Sequence, residues 1–436
     1  MNKKRSAIAL VGAAAVVLAG CSGGTDETSS SAATSAGSSS AAEGQDITLW
    51  LMGGDTPDEL RQYLIDTYNE NTGGTLTIEE QAWGDAVSKL TTALPDPENT
   101  PDVTEIGNTQ ASTFTSIGAF TDLTDMYEEL GGDSLLQSFV EAGTSEGKIY
   151  AYPYYYGSRY MFYRKDVWEA AGKEVPTTLA EFNETVAELR TDDMSGFYIG
   201  GSDWRNGISW IFANGGELAT EEDGTWTSTL SMDETIEGLT QFQALFQDAS
   251  NAPVTESDST PWVNINNNET TGVPEAATIM APGWAHWSIG DLNDDGETYT
   301  WNDDTFGVFV LPGVDGGAAP VFAGGSNIAV SAASQNQEGA KELLKIIFSA
   351  EYQEMLGGAG LGPANLDYAS SLGDDEFATA LTESASNSKL TPAAPGWAAV
   401  EASGLLEEFF GKVADGGDIP TLAAEYDAKI NELING

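Results

Sequence analysis

Hydrophobic positions recur along most of the chain as short apolar runs that alternate with longer stretches of helical spacing. Ile47–Met52 predicts a buried strand, and Pro57 opens a helical stretch that reaches about Asn71. Leu76–Gln81 and residues 101–106 predict two more strands, with a helix over 85–94 between them. Strands that alternate with helices in this way indicate an α/β fold.

The third predicted strand ends at a polar segment, 107–110, which we interpret as a turn. Ligand sites in open α/β sheets lie at the carboxyl ends of strands, so Asn108 and Gln110 become candidate binding residues. Further strands are predicted at 148–153, 160–163, 277–280, 306–311 and 328–331. Further helices are predicted at 179–190, 208–213, 235–246, 337–348, 350–357, 404–413 and 422–434.

The N-terminus carries the strongest local signal. Lys3, Lys4 and Arg5 precede an apolar run, 7–18, that ends in Leu-Ala-Gly before Cys21. This run is too short for a stable membrane span and is typical of a signal peptide, residues 1–20, with a lipobox. Cys21 is the only cysteine in the chain, and we expect it to carry the lipid that anchors the protein to the outer face of the cell membrane. A plain secretory signal with a chance cysteine is the alternative.

Residues 21–45 are rich in Ser, Ala, Thr and Gly and hold few large apolar side chains, which predicts a flexible linker. Roughly 390 residues follow, more than one core usually organises, so two lobes are expected. The body has no thiol for a disulfide once Cys21 is modified, and packed cores must stabilise it. No internal repeat and no later membrane span are visible.

The charge is extreme, with Lys+Arg 17 against Asp+Glu 68 and a formal net charge of −51. A surface this negative repels phosphate backbones and anionic lipid faces, which excludes nucleic acid as a partner and limits membrane contact to the lipid on Cys21. It also disfavours an anionic substrate. Most of the charge is explained by a solvated acidic surface.

Three segments in a fixed order carry a family resemblance: TPDVTEIGNTQASTFTSIGAFTDLT, GKIYAYPYYYGSRYMFYRKDVWEAAG and VFAGGSNIAVSAASQNQEGAKELLKIIFSAEYQ. The chain resembles the extracellular solute-binding proteins of family 1, the carbohydrate-binding group that includes maltose-binding protein. The resemblance covers nearly the whole body, from Ile47 to Ile434.

The resemblance implies a two-lobed fold of the type II periplasmic-binding-protein kind, with a hinge and discontinuous domains. One lobe would hold residues 46–156 and 312–363, and the other 157–311 and 364–436. The implied function is capture of a neutral oligosaccharide between the lobes and its delivery to the permease subunits of an ABC importer. A monomer without a cofactor is expected.

The resemblance also implies site residues. Hydroxyl contacts are expected from side chains with paired donors and acceptors, and ring stacking from tryptophans, because a pyranose has an apolar C–H face. The expected ligand-binding residues are Asp55, Trp83, Asn108, Gln110, Tyr155, Asp203, Trp204, Arg205, Trp284, His286, Ser326, Asn327 and Trp397. Trp284, Trp204 and Trp397 are the expected stacking platforms, whereas His286 is as readily explained as a core histidine.

Two departures from maltose-binding protein leave the sugar open: Gly157 stands where that protein has a site glutamate, and Thr109 and Gln110 replace a charged pair. Two other function classes also stay open. A surface glycoside hydrolase would need two carboxylates flanking the scissile bond, and no motif singles out such a pair. A binding protein for a peptide, polyamine or metal chelate is the other alternative.

A possible calcium loop begins at Asp291 and continues through Asn293 and Asp295, with oxygens at alternate positions before a glycine. The second half of the segment does not match the calcium-loop pattern, because Asn302 stands where a bidentate Glu is needed. An acidic surface turn is therefore the expected structure, and no metal site is predicted.

Overall fold

The computed structural model describes residues 44–257 and 262–436. The predicted signal peptide, the lipidation site at Cys21 and nearly all of the linker lie outside these residues. In the described part no helix is both long and apolar enough to span a membrane.

A six-stranded sheet forms the first half of the fold. Its strands follow in the spatial order Gly362–Pro363, Ala151–Tyr156, Gly325–Val330, Val103–Gly107, Ile47–Met52 and Leu76–Gln81. The last three are mutually parallel, and Gly325–Val330 runs antiparallel to both of its neighbours. The carboxyl ends of the parallel strands, the carboxyl end of Ala151–Tyr156 and the start of Gly325–Val330 therefore meet at one edge.

A smaller, three-stranded sheet forms the second half. Thr278–Pro282 and Phe306–Phe309 both pair antiparallel with the central strand, Arg159–Arg164. Three two-stranded hairpins complete the strands: Thr144–Ser145 with Lys148–Ile149, Ala219–Glu222 with Thr225–Ser228, and Asp291–Leu292 with Tyr299–Thr300.

Helices cover both sheets. The α-helices of the described residues are Asp58–Thr72, Ala86–Ala93, Asn108–Ser116, Tyr127–Leu130, Gln137–Ala142, Lys165–Ala170, Leu179–Leu189, Trp204–Ala213, Asp233–Ala249, Trp262–Ile265, Gln337–Ile347, Ala350–Gly358, Glu376–Asn387, Trp397–Ala402, Leu405–Ala414 and Ile419–Asn431. The 3₁₀ helices are Trp83–Asp85, Thr124–Met126, Gly132–Ser134, Gly283–Ser288 and Leu366–Leu372.

The cores follow the two sheets. One buries Leu49, Leu64 and Val103 with Leu343 around the six-stranded sheet. Another packs Met161 and Met280 of the three-stranded sheet against helices from both the middle and the C-terminal part of the chain. Phe322 belongs to this second core, so the chain keeps its contact with the second sheet beyond Pro312, the predicted boundary.

Most predicted elements are confirmed, with shifts of a few residues at their ends. Two local predictions are wrong. The segment 108–110 is the first turn of the helix Asn108–Ser116 rather than an open turn. The tyrosines 154–156 lie within the strand Ala151–Tyr156 rather than after it, because all six residues of that strand are buried and five of them pair with Gly325–Val330.

Candidate functional site

A cleft of about 580 Å³ lies between the two sheets. The volume falls within the range of small-molecule sites, about 300–1,000 Å³. The cleft is lined by Asp55, Trp83, Gly84, Ala86, Val87, Gly107, Asn108, Thr109, Gln110, Tyr155, Gly157, Arg159, Arg205, Pro282, Trp284, Phe322, Gly324 and Gly325. Both sheets therefore contribute side chains to one site.

The first wall is built by the edge at which the strands of the six-stranded sheet end. Asp55 follows Ile47–Met52, Trp83 follows Leu76–Gln81, and Asn108 follows Val103–Gly107. Tyr155 joins them because its strand is antiparallel to Gly325–Val330, with Ser326 opposite Tyr155. The position of these side chains is thus a direct consequence of sheet topology.

Asp55 is held by two donors within this wall. Its Oδ2 accepts a hydrogen bond of 2.8 Å from Trp83 Nε1 and one of 3.0 Å from the Tyr155 hydroxyl. Trp83 lies against Gly53, where an added Cβ would meet the indole at 2.9 Å, and the φ of +60° at Gly53 also favours glycine. The Trp83 indole and the Asp55 carboxylate are consequently held in a fixed arrangement.

Two exposed tryptophans face the cleft, one from each wall. Trp83 is 38% exposed and Trp284 is 40% exposed. Trp284 lies in the 3₁₀ helix Gly283–Ser288, directly after the strand Thr278–Pro282, and packs edge-on against Trp262 with ring centroids 4.9 Å apart. Exposed aromatic faces beside fixed polar groups suit a ligand that has both apolar C–H surface and hydroxyls.

Two arginines line the second wall. Arg159 is buried, donates to Asn206 Oδ1 at 3.2 Å, and lies 5.6 Å from the ring centroid of Phe322. Arg205 is half-buried and stacks on the Trp204 ring at 4.5 Å. The Arg205 guanidinium therefore presents a planar set of donors to the cleft.

Gln110 extends the polar surface toward the C-terminal helices. Its Nε2 donates to Glu401 Oε2 at 2.8 Å, and Thr109 Oγ1 donates to the same oxygen at 3.2 Å. Trp397 Nε1 donates to Glu401 Oε1 at 2.8 Å. Burial raises the pKa of Glu401, while the charge of Arg205 and these hydrogen bonds lower it.

Seven of the predicted site residues line the cleft: Asp55, Trp83, Asn108, Gln110, Tyr155, Arg205 and Trp284. Asn108 is almost completely buried, and its Nδ2 donates to the Ala323 carbonyl at 2.8 Å. Asn108 thus holds the segment around Ala323 at the floor of the cleft and also lines the cleft.

Trp204 and Trp397, predicted as stacking platforms, lie in the core instead. They are 1% and 0% exposed, and Trp204 Nε1 donates to Glu407 at 3.0 Å. A fully buried ring offers no face to a ligand. The role of Trp204 at the site is indirect, because it carries the Arg205 guanidinium on its face.

Asp203, Ser326 and Asn327 are also buried and do not line the cleft. Asp203 caps the helix Trp204–Ala213 by accepting from the Asn206 backbone N–H at 3.1 Å. Ser326 Oγ donates to Glu105 Oε1 at 2.6 Å, and Asn327 Nδ2 donates to the Phe139 carbonyl at 2.8 Å.

His286 lies beside the cleft in a separate small cavity of about 120 Å³. Its Nδ1 is 2.8 Å from the Gly283 carbonyl, and its ring stacks on Phe377 at 4.7 Å. Burial lowers its pKa. The neighbouring Trp287 is 66% exposed and lies on the same side of the 3₁₀ helix as Trp284, because residues three apart eclipse each other.

Sequence reasoning did not find Arg159, Trp287, Phe322 or Glu401. Arg159 offered a signal, since it is a charged residue directly before the aromatic and apolar run 160–163. Glu401 stands four residues after Trp397, the spacing at which helical side chains meet. Phe322 offered no signal that separates a cleft residue from a core residue.

The segment that begins at Asp291 forms a hairpin whose oxygens accept hydrogen bonds from the hairpin itself. Asp295 accepts from the Glu297 and Thr298 backbone N–H groups, and Asp291 Oδ2 accepts from Asn302 Nδ2 at 2.7 Å. The structure shows no cluster of three or more His, Cys, Asp or Glu side chains suited to a metal in the residues that it describes.

Comparison with known proteins agrees with this geometry. The sequence profile described as "Bacterial extracellular solute-binding protein" matches residues 63–383. The chain belongs to the bacterial extracellular solute-binding proteins. It is 32% identical over 362 residues to the diacetylchitobiose binding protein DasA of Streptomyces coelicolor, with 82% of each chain covered.

Solved structures of this class share the fold. The sugar-binding protein MalE of Xanthomonas citri superposes with a TM-score of 0.74 at 18% identity, covering 89% of this chain and 97% of that one. The GacH receptor of Streptomyces glaucescens, solved unliganded and with acarbose, gives a TM-score of 0.72 at 22% identity, covering 90% and 98%. The predicted two-lobed type II fold is confirmed.

Family membership also decides the function class. The solute-binding proteins bind without chemistry, which confirms the prediction of a binding protein over a glycoside hydrolase. The family is extracellular, so the folded body is extracytoplasmic.

Proposed function

We propose that this solute-binding protein captures a neutral oligosaccharide in the cleft and delivers it to the permease of an ABC importer. The observation that carries the proposal is the pair of exposed tryptophans, Trp83 and Trp284, on opposite walls of the cleft. Each offers a flat apolar face for a sugar ring, and Asp55, Gln110 and Arg205 supply hydrogen-bonding groups nearby.

Charge favours a neutral ligand over an anionic or strongly cationic one. The cleft presents one carboxylate, Asp55, and the half-buried guanidinium group of Arg205. A polyamine would meet the Arg205 cation, and an anion would first have to approach a chain of net charge −51. A neutral polyol avoids both costs and uses both groups through hydrogen bonds.

Among neutral oligosaccharides, amino-sugar disaccharides come first. The relative DasA is a diacetylchitobiose binding protein and spans four-fifths of the chain. We therefore propose N,N′-diacetylchitobiose, or a close relative of it, as the first ligand to test.

Closure of the cleft requires a hinge, and three adjacent segments supply it. The Gly157 N–H donates to the Gly324 carbonyl at 2.9 Å, and the Lys389 N–H donates to the Val321 carbonyl at 2.8 Å. We place the crossings between the lobes at these segments, so the second crossing follows Phe322 rather than Pro312. Bending there would bring Trp83 and Trp284 together over a ligand.

Anchoring by a lipid on Cys21 is part of the same proposal, because a tethered protein stays close to its permease. Replacement of Cys21 by alanine should move the protein from the membrane fraction to the medium. Retention of the Cys21→Ala variant in the membrane fraction would contradict anchoring by lipid.

The ligand is tested by calorimetric titration of residues 45–436 with diacetylchitobiose, maltotriose, raffinose and xylo-oligosaccharides. We expect saturable binding of one class, with the sugar recovered uncut. The Trp284→Ala variant should weaken that binding, whereas Trp226→Ala, a partly buried tryptophan in the hairpin Ala219–Glu222 with Thr225–Ser228, should not.

A further inference from the structure

A carboxyl group that the proposed function does not use lies directly beneath the cleft. Glu105 is completely buried on the central strand Val103–Gly107. Its Oε2 accepts from the Met52 backbone N–H at 2.8 Å, and its Oε1 accepts from Ser326 Oγ at 2.6 Å. Glu105 thus joins three neighbouring strands at the edge that forms the first wall.

Tyr155 connects this buried carboxyl to the cleft. Its hydroxyl donates to Asp55 Oδ2 at 3.0 Å, and on the neighbouring strand Tyr155 stands opposite Ser326, whose hydroxyl donates to Glu105. Asp55 and Glu105 are therefore two carboxyl groups held by residues of paired strands, one of them at the cleft surface and the other buried.

The surrounding groups favour the neutral form of Glu105. Burial raises its pKa to about 7, and the negative charge of Asp55 also raises it, against hydrogen bonds from Ser326 and Met52 that lower it. The other titratable groups of the packed elements that interact with it are the phenols of Tyr154 and Tyr352, and burial raises the pKa of both. Arg61, which acts on the same two phenols, is engaged by Glu80 and the Gly53 carbonyl.

The protonation state of Glu105 changes what its neighbours can do. An ionised Glu105 accepts from Ser326 and Met52 and places a second negative charge behind that of Asp55. A protonated Glu105 lacks that charge and becomes a donor itself. The protonated state therefore relieves the repulsion between Glu105 and Asp55.

We propose that Glu105 couples capture of the ligand to uptake of a proton. A neutral ligand that fills the cleft replaces the water around half-exposed Asp55, and this weakens the screening between the two carboxylates. Binding is then favoured when Glu105 is neutral. Glu105 acts as a positioning residue through its charge on Asp55, and the inference rests on the ligand-binding function proposed above.

The sign of the effect follows from linkage. A group that binds its proton more tightly in the complex makes binding stronger below its pKa and weaker above it. Affinity should therefore fall as the pH rises from 6 to 8. A pKa that is higher by about one unit in the complex corresponds to about a fivefold loss of affinity over that interval and about tenfold well above both pKa values.

The test compares wild type with Glu105→Gln, which mimics the neutral carboxyl group, by calorimetric titration with N,N′-diacetylchitobiose between pH 5.5 and 8.5. Wild type should lose affinity across this range and take up a fraction of a proton near pH 7, seen as a dependence of the heat on buffer ionisation enthalpy. Glu105→Gln should bind with a pH-independent affinity. Glu79→Gln, which removes an exposed carboxylate from the same sheet, should behave like wild type.

Ligand-free protein gives a separate measurement. Because the pKa of Glu105 is raised on folding, the melting temperature of wild type should fall relative to that of Glu105→Gln as the pH rises from 5 to 8. Ser326→Ala removes a donor that favours the ionised form of Glu105. The fall in the melting temperature of this variant should therefore occur at a higher pH than in wild type. This variant provides the comparison if Glu105→Gln does not fold.

The outcomes separate the two proposals. Sugar binding with the same pH dependence in wild type and Glu105→Gln would overturn the coupling and leave the proposed function intact. Absence of sugar binding at every pH would overturn both. Identical melting profiles of the ligand-free proteins would show that Glu105 does not titrate in this range, which also overturns the coupling.

Discussion

Gln110 and Glu401 stand 291 positions apart in the sequence and are joined by a hydrogen bond of 2.8 Å. Gln110 lies in the helix Asn108–Ser116, which follows the strand Val103–Gly107. Glu401 lies in the short helix Trp397–Ala402. The bond fixes the C-terminal helices to the wall of the cleft. It also provides a donor to a carboxyl group that is partly buried.

Loss of this bond should lower stability. Gln110→Ala leaves Glu401 with one donor fewer in a partly buried setting, which costs about 0.5–1.5 kcal/mol. Gln62→Ala, which removes an exposed bond to Asp66, should change stability by less than about 0.5 kcal/mol. Urea denaturation of both variants checks the difference, and equal midpoints would show that the Gln110 bond contributes nothing.

Substitution by alanine should affect ligand binding at a tryptophan of the cleft and stability at a tryptophan of the core. Trp284→Ala should weaken ligand binding by about 1–3 kcal/mol and change stability little, because the ring is 40% exposed. Trp397→Ala should cost about 3–5 kcal/mol of stability, since its ring is completely buried. Calorimetry and thermal unfolding of the two variants separate these effects. Unchanged affinity in Trp284→Ala would remove that ring from the site.

Arg205→Lys tests whether the planar donor group matters beyond its charge. Lysine keeps the charge but loses the paired N–H groups and the stacking on Trp204. We expect about 1–2 kcal/mol weaker ligand binding with a melting temperature close to wild type. Full affinity in Arg205→Lys would mean that charge alone suffices at this position.

The position of Trp287 predicts that its contribution to affinity depends on the length of the oligosaccharide. It is exposed on the same side of the 3₁₀ helix as Trp284, one turn further from the cleft. Trp287→Ala should leave disaccharide affinity within about twofold of wild type and weaken a tetrasaccharide by about 1 kcal/mol. A series of oligosaccharides titrated into both proteins checks this, and equal losses at every length would contradict it.

Calcium should have no effect on stability. The hairpin that starts at Asp291 already completes the hydrogen bonds of Asp291 and Asp295 with its own donors. Melting temperatures in EDTA and in millimolar calcium should therefore agree within about 1 °C. A rise of several degrees with calcium would show that the loop binds the ion.

The first wall of the cleft could be predicted from the sequence because it depends on strand ends. Asp55 and Asn108 follow segments that are recognisable as strands, and parallel pairing then brings them to one edge. The local conformation was harder to predict, since Asn108 opens a helix where its polar neighbours indicated a turn. The first turn of a helix and an open turn can both consist of polar residues, so composition does not distinguish them.

The second wall could be predicted only in part. Trp204 and Trp397 each stand at the first residue of a short helix, and tertiary packing decides which side of such a residue is buried. Neither helix has enough length for its periodicity to reveal the buried face. The hydrogen bond between Ser326 and Glu105 could not be predicted, because it depends on antiparallel pairing of strands far apart in sequence.

The central claim is that the cleft between the two sheets binds a neutral oligosaccharide through Trp83 and Trp284. Calorimetric titration of wild type, Trp83→Ala and Trp284→Ala with N,N′-diacetylchitobiose and the other oligosaccharides tests it most directly. We predict saturable binding of one sugar class to wild type, weakened in both variants. Absence of binding to every sugar, or binding that neither substitution changes, would contradict the claim.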